Sequence, residues 1–180
     1  ISSTAVVERS WARLAVEFEI PRERFFEYHG MTARAILERL LHDRSAGERD
    51  DAHARIVQIE TSDTDGVVAL QGAAEALRLL VPAGRCAIVT SGTRDLALAR
   101  LAVAGVDVPA VVVTADEVRH GKPHPEPYIM AARALGVDPA DCLVVEDASA
   151  GLASGRAAGA TTLGLRTTLG EGEIEADLVV

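Results

Sequence analysis

Three short runs hold residue types that can handle a phosphate group. In the first, Ala87-Ile88-Val89-Thr90-Ser91-Gly92-Thr93, an apolar strand ends on a hydroxyl and enters a helix through a glycine. A hydroxyl beside exposed backbone N–H groups, with a glycine that permits close approach, makes a phosphate seat of Thr90, Ser91 and Gly92. Ser91 or Thr93 would serve equally as an ordinary helix cap. In the second run, Gly121-Lys122-Pro123-His124-Pro125, two prolines and a glycine stiffen a loop around one lysine. The ammonium of Lys122 is then fixed where it can neutralise a phosphate and a neighbouring carboxylate together, although a solvated loop lysine has the same local sequence. His120 and His124 flank it without metal-ligand spacing to other His or Cys, and read as loop residues lining the site.

The third run, Leu143-Val144-Val145-Glu146-Asp147, ends an apolar strand in two acids and leads into Ala148-Ser149-Ala150-Gly151. Carboxylates at a strand's carboxyl end suit Mg²⁺, which takes hard oxygen ligands and keeps several waters. Helix capping by Asp147 is the competing reading. Two acids are too few for a full cage, so a third ligand has to come from elsewhere.

These runs need a scaffold that presents strand ends. Residues 1 to about 68 hold no convincing strand: Thr4–Glu19, Pro21–Tyr28, Thr32–Leu41 and Ala46–Glu60 are expected helices by apolar spacing. From about residue 69 helices alternate with short β-rich runs: Ala73–Val81, Cys86–Thr90, Asp95–Val103, Ala110–Thr114, Glu126–Leu135, Leu143–Glu146, Ser149–Ala158, Thr161–Leu165 and Leu178–Val180. Gly105, Gly136 and Gly159 follow three of the helices, where a left-handed residue is wanted. The alternation predicts an α/β fold with a parallel sheet covered on both faces and ligands beyond the strands' carboxyl ends.

With net charge −9 over 180 residues and no basic run, the chain has no electrostatic footprint for nucleic acid. An anionic substrate must be held by local charges. Cys86 and Cys142 sit in short apolar runs as free thiols. No secretory leader or membrane span is expected, and the cytoplasm is the expected compartment.

Taken together, the motifs resemble the haloacid dehalogenase superfamily, within it the sugar and polyol phosphate phosphatases and β-phosphoglucomutase-like proteins with a helical cap. The matching stretches are Ile1-Ser2-Ser3-Thr4, His29-Gly30, Val89 to Asp95, Gly121 to Tyr128 and Val145 to Gly151, in order along nearly the whole chain. The resemblance implies a Rossmann-like core of residues 1–2 and 69–180 with an all-helical cap, residues 3–68, inserted after the first strand. It makes Thr90 the phosphate-binding hydroxyl, Lys122 the charge clamp, and Asp147 a Mg²⁺ ligand supported by Glu146. His29, Gly30 and Arg34 would look from the cap towards substrate. The family's first motif, Asp-x-Asp-Gly-Thr, would fall immediately before Ile1; that first core strand and its nucleophile are missing from the given sequence. The implied activity is Mg²⁺-dependent hydrolysis of a small phosphorylated sugar or polyol through an aspartyl-phosphate, by a monomer. A phosphomutase on the same fold, or an inactive fragment or binding module, are the alternatives.

Overall fold

The computed structural model describes residues 1–21, 28, 30–168 and 174–180. The expected helix over 21–28 lies almost wholly outside them. Helix α1 (Thr4–Phe18) ends where Glu19 turns left-handed at φ 54°. Helix α2 (Ala33–Leu40) starts on Thr32, whose hydroxyl accepts the Ala35 N–H at 3.3 Å. Helix α3 (Ala46–Ser62) starts on a capping box: Ser45 Oγ accepts the Glu48 N–H, and the Glu48 carboxylate accepts the Ser45 N–H at 2.9 Å. These reciprocal bonds satisfy two donors that a bare helix end would strand. The three helices bury one shared core of Trp11, Leu14, Ile36, Leu37, Ile56 and Ile59, among others. An antiparallel bridge between Ser2 and Val68 ties the two ends of this segment together.

The second half alternates as its sequence does. Helix α4 (Ala73–Leu80) precedes β1 (Ala87–Val89), α5 (Arg94–Ala104), β2 (Val111–Val113), α6 (Glu126–Leu135), β3 (Leu143–Glu146), α7 (Ser149–Ala157), β4 (Thr161–Gly164) and β5 (Leu178–Val179). Gly105 and Gly136 close α5 and α6 in the left-handed region, where a side chain would be strained. All ladders are parallel, but they form two pieces: β1 with β2, and β3 with β4 and β5. No ladder joins β1 to β3 among the described residues. Cys86 and Cys142 fall one residue before their strands, not within them; both are half-buried free thiols, and burial raises both pKa values.

Candidate active site

Lys122 is the hinge of the site. It is 6% exposed, so the solvated-loop reading fails. Its Nζ donates to the Val89 carbonyl at 3.0 Å and pairs with the Glu146 carboxylate, so one ammonium bridges the carboxyl ends of β1 and β3. Glu146 is held from a second side by Tyr128, whose hydroxyl donates to Oε1 at 2.6 Å. Burial, and then the Glu146 charge, push the Tyr128 phenol far above its ordinary range, so it stays a donor. Lys122 also lies 5.1 Å from the centre of the Tyr128 ring. Gly151 makes room for this arrangement: a Cβ there would stand 2.1 Å from the Glu146 carboxyl carbon. That close approach is the physical reason for a glycine one turn into α7.

The Thr90 loop lies beside Lys122. Thr90 Oγ1 accepts the Gly92 N–H at 3.1 Å, which leaves the Thr90 hydroxyl proton free to donate. Ser91 does not cap α5; its hydroxyl donates to the Gly30 carbonyl at 2.7 Å, joining this loop to the helical half. Thr93 occupies the cap position of α5 without a side-chain bond. The seam between the halves is tight. A Cβ on Gly30 would lie 2.6 Å from the Ala148 methyl, and one on Gly121 would lie 2.5 Å from the Thr32 methyl.

Asp147 stands at the end of β3, half-buried, with Oδ2 accepting from Thr168 Oγ1 at 2.6 Å. Its donor chemistry fits Mg²⁺, which commonly takes one or two carboxylates and fills its octahedron with water and phosphate oxygens. Glu146, by contrast, is already engaged by Lys122, Tyr128 and the Asp147 N–H. Arg34 also borders the cleft, with its guanidinium in an ion pair with Asp50 at 2.8 Å and its side chain more than half exposed. His29 lies outside the described residues. Gly30, Thr90, Ser91, Lys122, Glu146 and Asp147 line one cleft of about 1870 Å³.

Three features escaped the sequence reading. Tyr128 and Thr168 sit on a helix and a loop well away from the motifs they support, and neither residue type signals that role. Asp63-Thr64-Asp65-Gly66 has an Asp-x-Asp-Gly spacing, yet it lies between α3 and α4, outside the cleft lining. Arg9 clamps Asp63 there through two 2.7 Å bonds, holding its carboxyl below the usual range. His120 and His124, expected to be loop residues lining the site, border the cleft and also come together with Glu126.

Residues 1–159 match the haloacid dehalogenase-like hydrolase family. Hexitol phosphatase A of Escherichia coli (strain K12) is 40% identical over 161 residues, covering 88% of this chain and 74% of its own. Glycerol-1-phosphate phosphohydrolase 2 of Saccharomyces cerevisiae is 42% identical over 113 residues, 59% of this chain and 44% of its own. Among solved structures, a hydrolase from Pseudomonas syringae superposes with TM-score 0.87 at 26% identity, covering 97% of this chain and 85% of that one. A β-phosphoglucomutase from Clostridium difficile, at TM-score 0.83 and 24% identity over 99% of this chain and 84% of that one, shares the fold. With parallel ladders in two pieces whose ends Lys122 bridges and a family match spanning 159 residues, the chain belongs to the haloacid dehalogenase-like hydrolases.

Proposed function

We propose that this protein is a Mg²⁺-dependent phosphomonoesterase acting on a small phosphorylated sugar or polyol. The observation that carries the reading is the meeting of Thr90, Lys122 and Asp147 on one cleft at the strands' carboxyl ends. Three relatives support the substrate class by their names: hexitol phosphatase A, glycerol-1-phosphate phosphohydrolase 2 and 2-deoxyglucose-6-phosphate phosphatase 1.

In this reading the phosphate oxygens take the Thr90 hydroxyl and the Lys122 ammonium, both set before substrate arrives. Groups aimed in advance at developing charge need no rearrangement in the transition state. Glu146 and Tyr128 hold Lys122; they do not touch substrate. Asp147 would hold Mg²⁺, which when bound supplies charge neutralisation at the phosphoryl oxygens. Phosphoryl transfer proceeds through an acyl phosphate on an aspartate, as the family resemblance implies, and water then releases phosphate. The helices of residues 3–68 act as the cap, with Gly30 covering the Thr90 loop and limiting water.

The test, on a chain carrying the Asp-x-Asp-Gly-Thr segment ahead of Ile1, is release of inorganic phosphate from hexitol, glycerol and hexose phosphates, with Mg²⁺ and with excess chelator. Release only with Mg²⁺ is expected, and Asp147→Asn should lower turnover by more than the roughly 10- to 100-fold typical of losing an outer support of a metal. Undiminished turnover in chelator, or transfer of phosphate to a second sugar hydroxyl without release, would overturn the reading.

A further inference from the structure

His120 and His124 flank Lys122 and border the same cleft, and Glu126 opens α6 beside them. One donor atom from each falls within 4.8 Å of the others. His120 Nδ1 is 2.9 Å from Glu126 Oε2, and His124 Nδ1 is 4.0 Å from the same oxygen. A tetrahedral ion with bonds of about 2.0–2.1 Å needs donors about 3.3 Å apart, a value these two distances bracket.

The donors are held in place before any ion arrives. The Glu126 carboxylate accepts the Arg119 N–H at 2.8 Å and the His120 N–H at 3.1 Å, bonds that, led by Arg119, keep it ionised to lower pH than usual. Among the described residues no Lys or Arg side chain pairs with it; its only ion-pair partners are the two histidines. His124 is anchored through its backbone, with its N–H donating to Gly121 O and its carbonyl accepting from the fully buried Ser154 hydroxyl at 2.6 Å. Both rings are exposed, with centres 4.6 Å apart, so an ion can reach them.

We propose that His120, His124 and Glu126 form a second metal site, taking a borderline divalent ion of the Zn²⁺ class. Two imidazoles and one carboxylate suit Zn²⁺, with water as fourth ligand, and discriminate against Mg²⁺, which prefers oxygen alone. The ion takes the place of the hydrogen between His120 Nδ1 and Glu126, and the ring stays neutral by carrying its proton on Nε2 instead. His124 Nδ1 at the same time gives up the 3.2 Å bond it accepts from the Glu126 N–H, a first-turn donor that water can satisfy. Occupancy would tie down residues on both sides of Lys122.

The experiment is calorimetric titration of the protein with Zn²⁺ in saturating Mg²⁺, which competes for oxygen sites, on wild type, His120→Ala and His124→Ala. One Zn²⁺ per chain is expected, weakened at least about tenfold in each variant. Cu²⁺ in place of Zn²⁺ gives an independent signature: hyperfine coupling to two imidazole nitrogens in wild type and one in each variant. Both side chains are exposed, so unchanged melting curves should confirm intact folds. Absence of Zn²⁺ binding in wild type, affinity in either variant indistinguishable from wild type, or Cu²⁺ spectra that do not change between proteins would overturn the site.

Discussion

At Glu146 a carboxylate with 10% side-chain exposure is held by both Lys122 and Tyr128. Tyr128→Phe removes one of those donors without changing shape. Hydrogen bonds to charged groups are worth about 1.5–3 kcal/mol, so denaturant unfolding should register a loss of that size. Turnover should fall through kcat with KM little changed if Tyr128 works by positioning Lys122. Lys122→Met should cost both activity and stability, since stripping a buried carboxylate of its partner typically costs about 3–5 kcal/mol. Lys122→Met combined with Glu146→Gln should recover most of the stability and none of the turnover, separating the two roles. Lys122 and Asp147 were legible in the sequence because a strand end and a proline-locked loop fix where they lie. Tyr128 was not, because its reach to Glu146 depends on how α6 packs beside β1. The pairing of His120 and His124 was missed because their third member is a carboxylate that opens the next helix, not another His or Cys.

Among the elements, α3 and α5 are joined by the Glu60–Arg100 pair at 3.1 Å, with side chains 8% and 12% exposed. Burial raises the Glu60 pKa against the pull of Arg100, so the pair is costly to form and costlier to break. Glu60→Ala should lower the unfolding free energy by about 3 kcal/mol, whereas replacing both with leucine should restore most of it, as a thermodynamic cycle of melts would read. The helical half has an acid limit of its own. Arg55 holds the Glu17 carboxyl at about 2, and the Ser45 hydroxyl and N–H do the same for Glu48, against an ordinary value of 4.5. Between those values the unfolded chain binds more protons than the folded one. Their contribution is therefore complete above about pH 4.5 and lost as pH falls towards 2, with Arg55→Gln flattening that decline in melts across the range. Helix extents were readable to within a residue or two because apolar spacing and glycine stops mark them. The Ser45–Glu48 box, also a local pattern, sets the start of α3 at the residue where apolar spacing had placed it.

Over the whole molecule, alternating helix and strand announced a parallel sheet, and the sheet is parallel throughout. Its division into two pieces bridged by Lys122 was visible only as a missing neighbour, since strand order is a property of packing and no local sequence encodes it. The same holds for the seam at Gly30 and Gly121, where each glycine was notable in sequence for its motif and not for what it faces. On the proposed function, that seam lets the dryness of the cleft be set by single methyl groups. Gly30→Ala or Gly121→Ala would act as a wedge between the jaws, and because Ser91 grips Gly30, the same wedge would loosen the phosphate seat. A wedged enzyme should turn over the substrate more weakly, with a raised KM, while a water-excluding relative built on the same jaws would leak phosphate to solvent. On the proposed function, the fate of a phosphoryl group on this scaffold thus turns on whether two stretches of one chain can touch without a side chain between them.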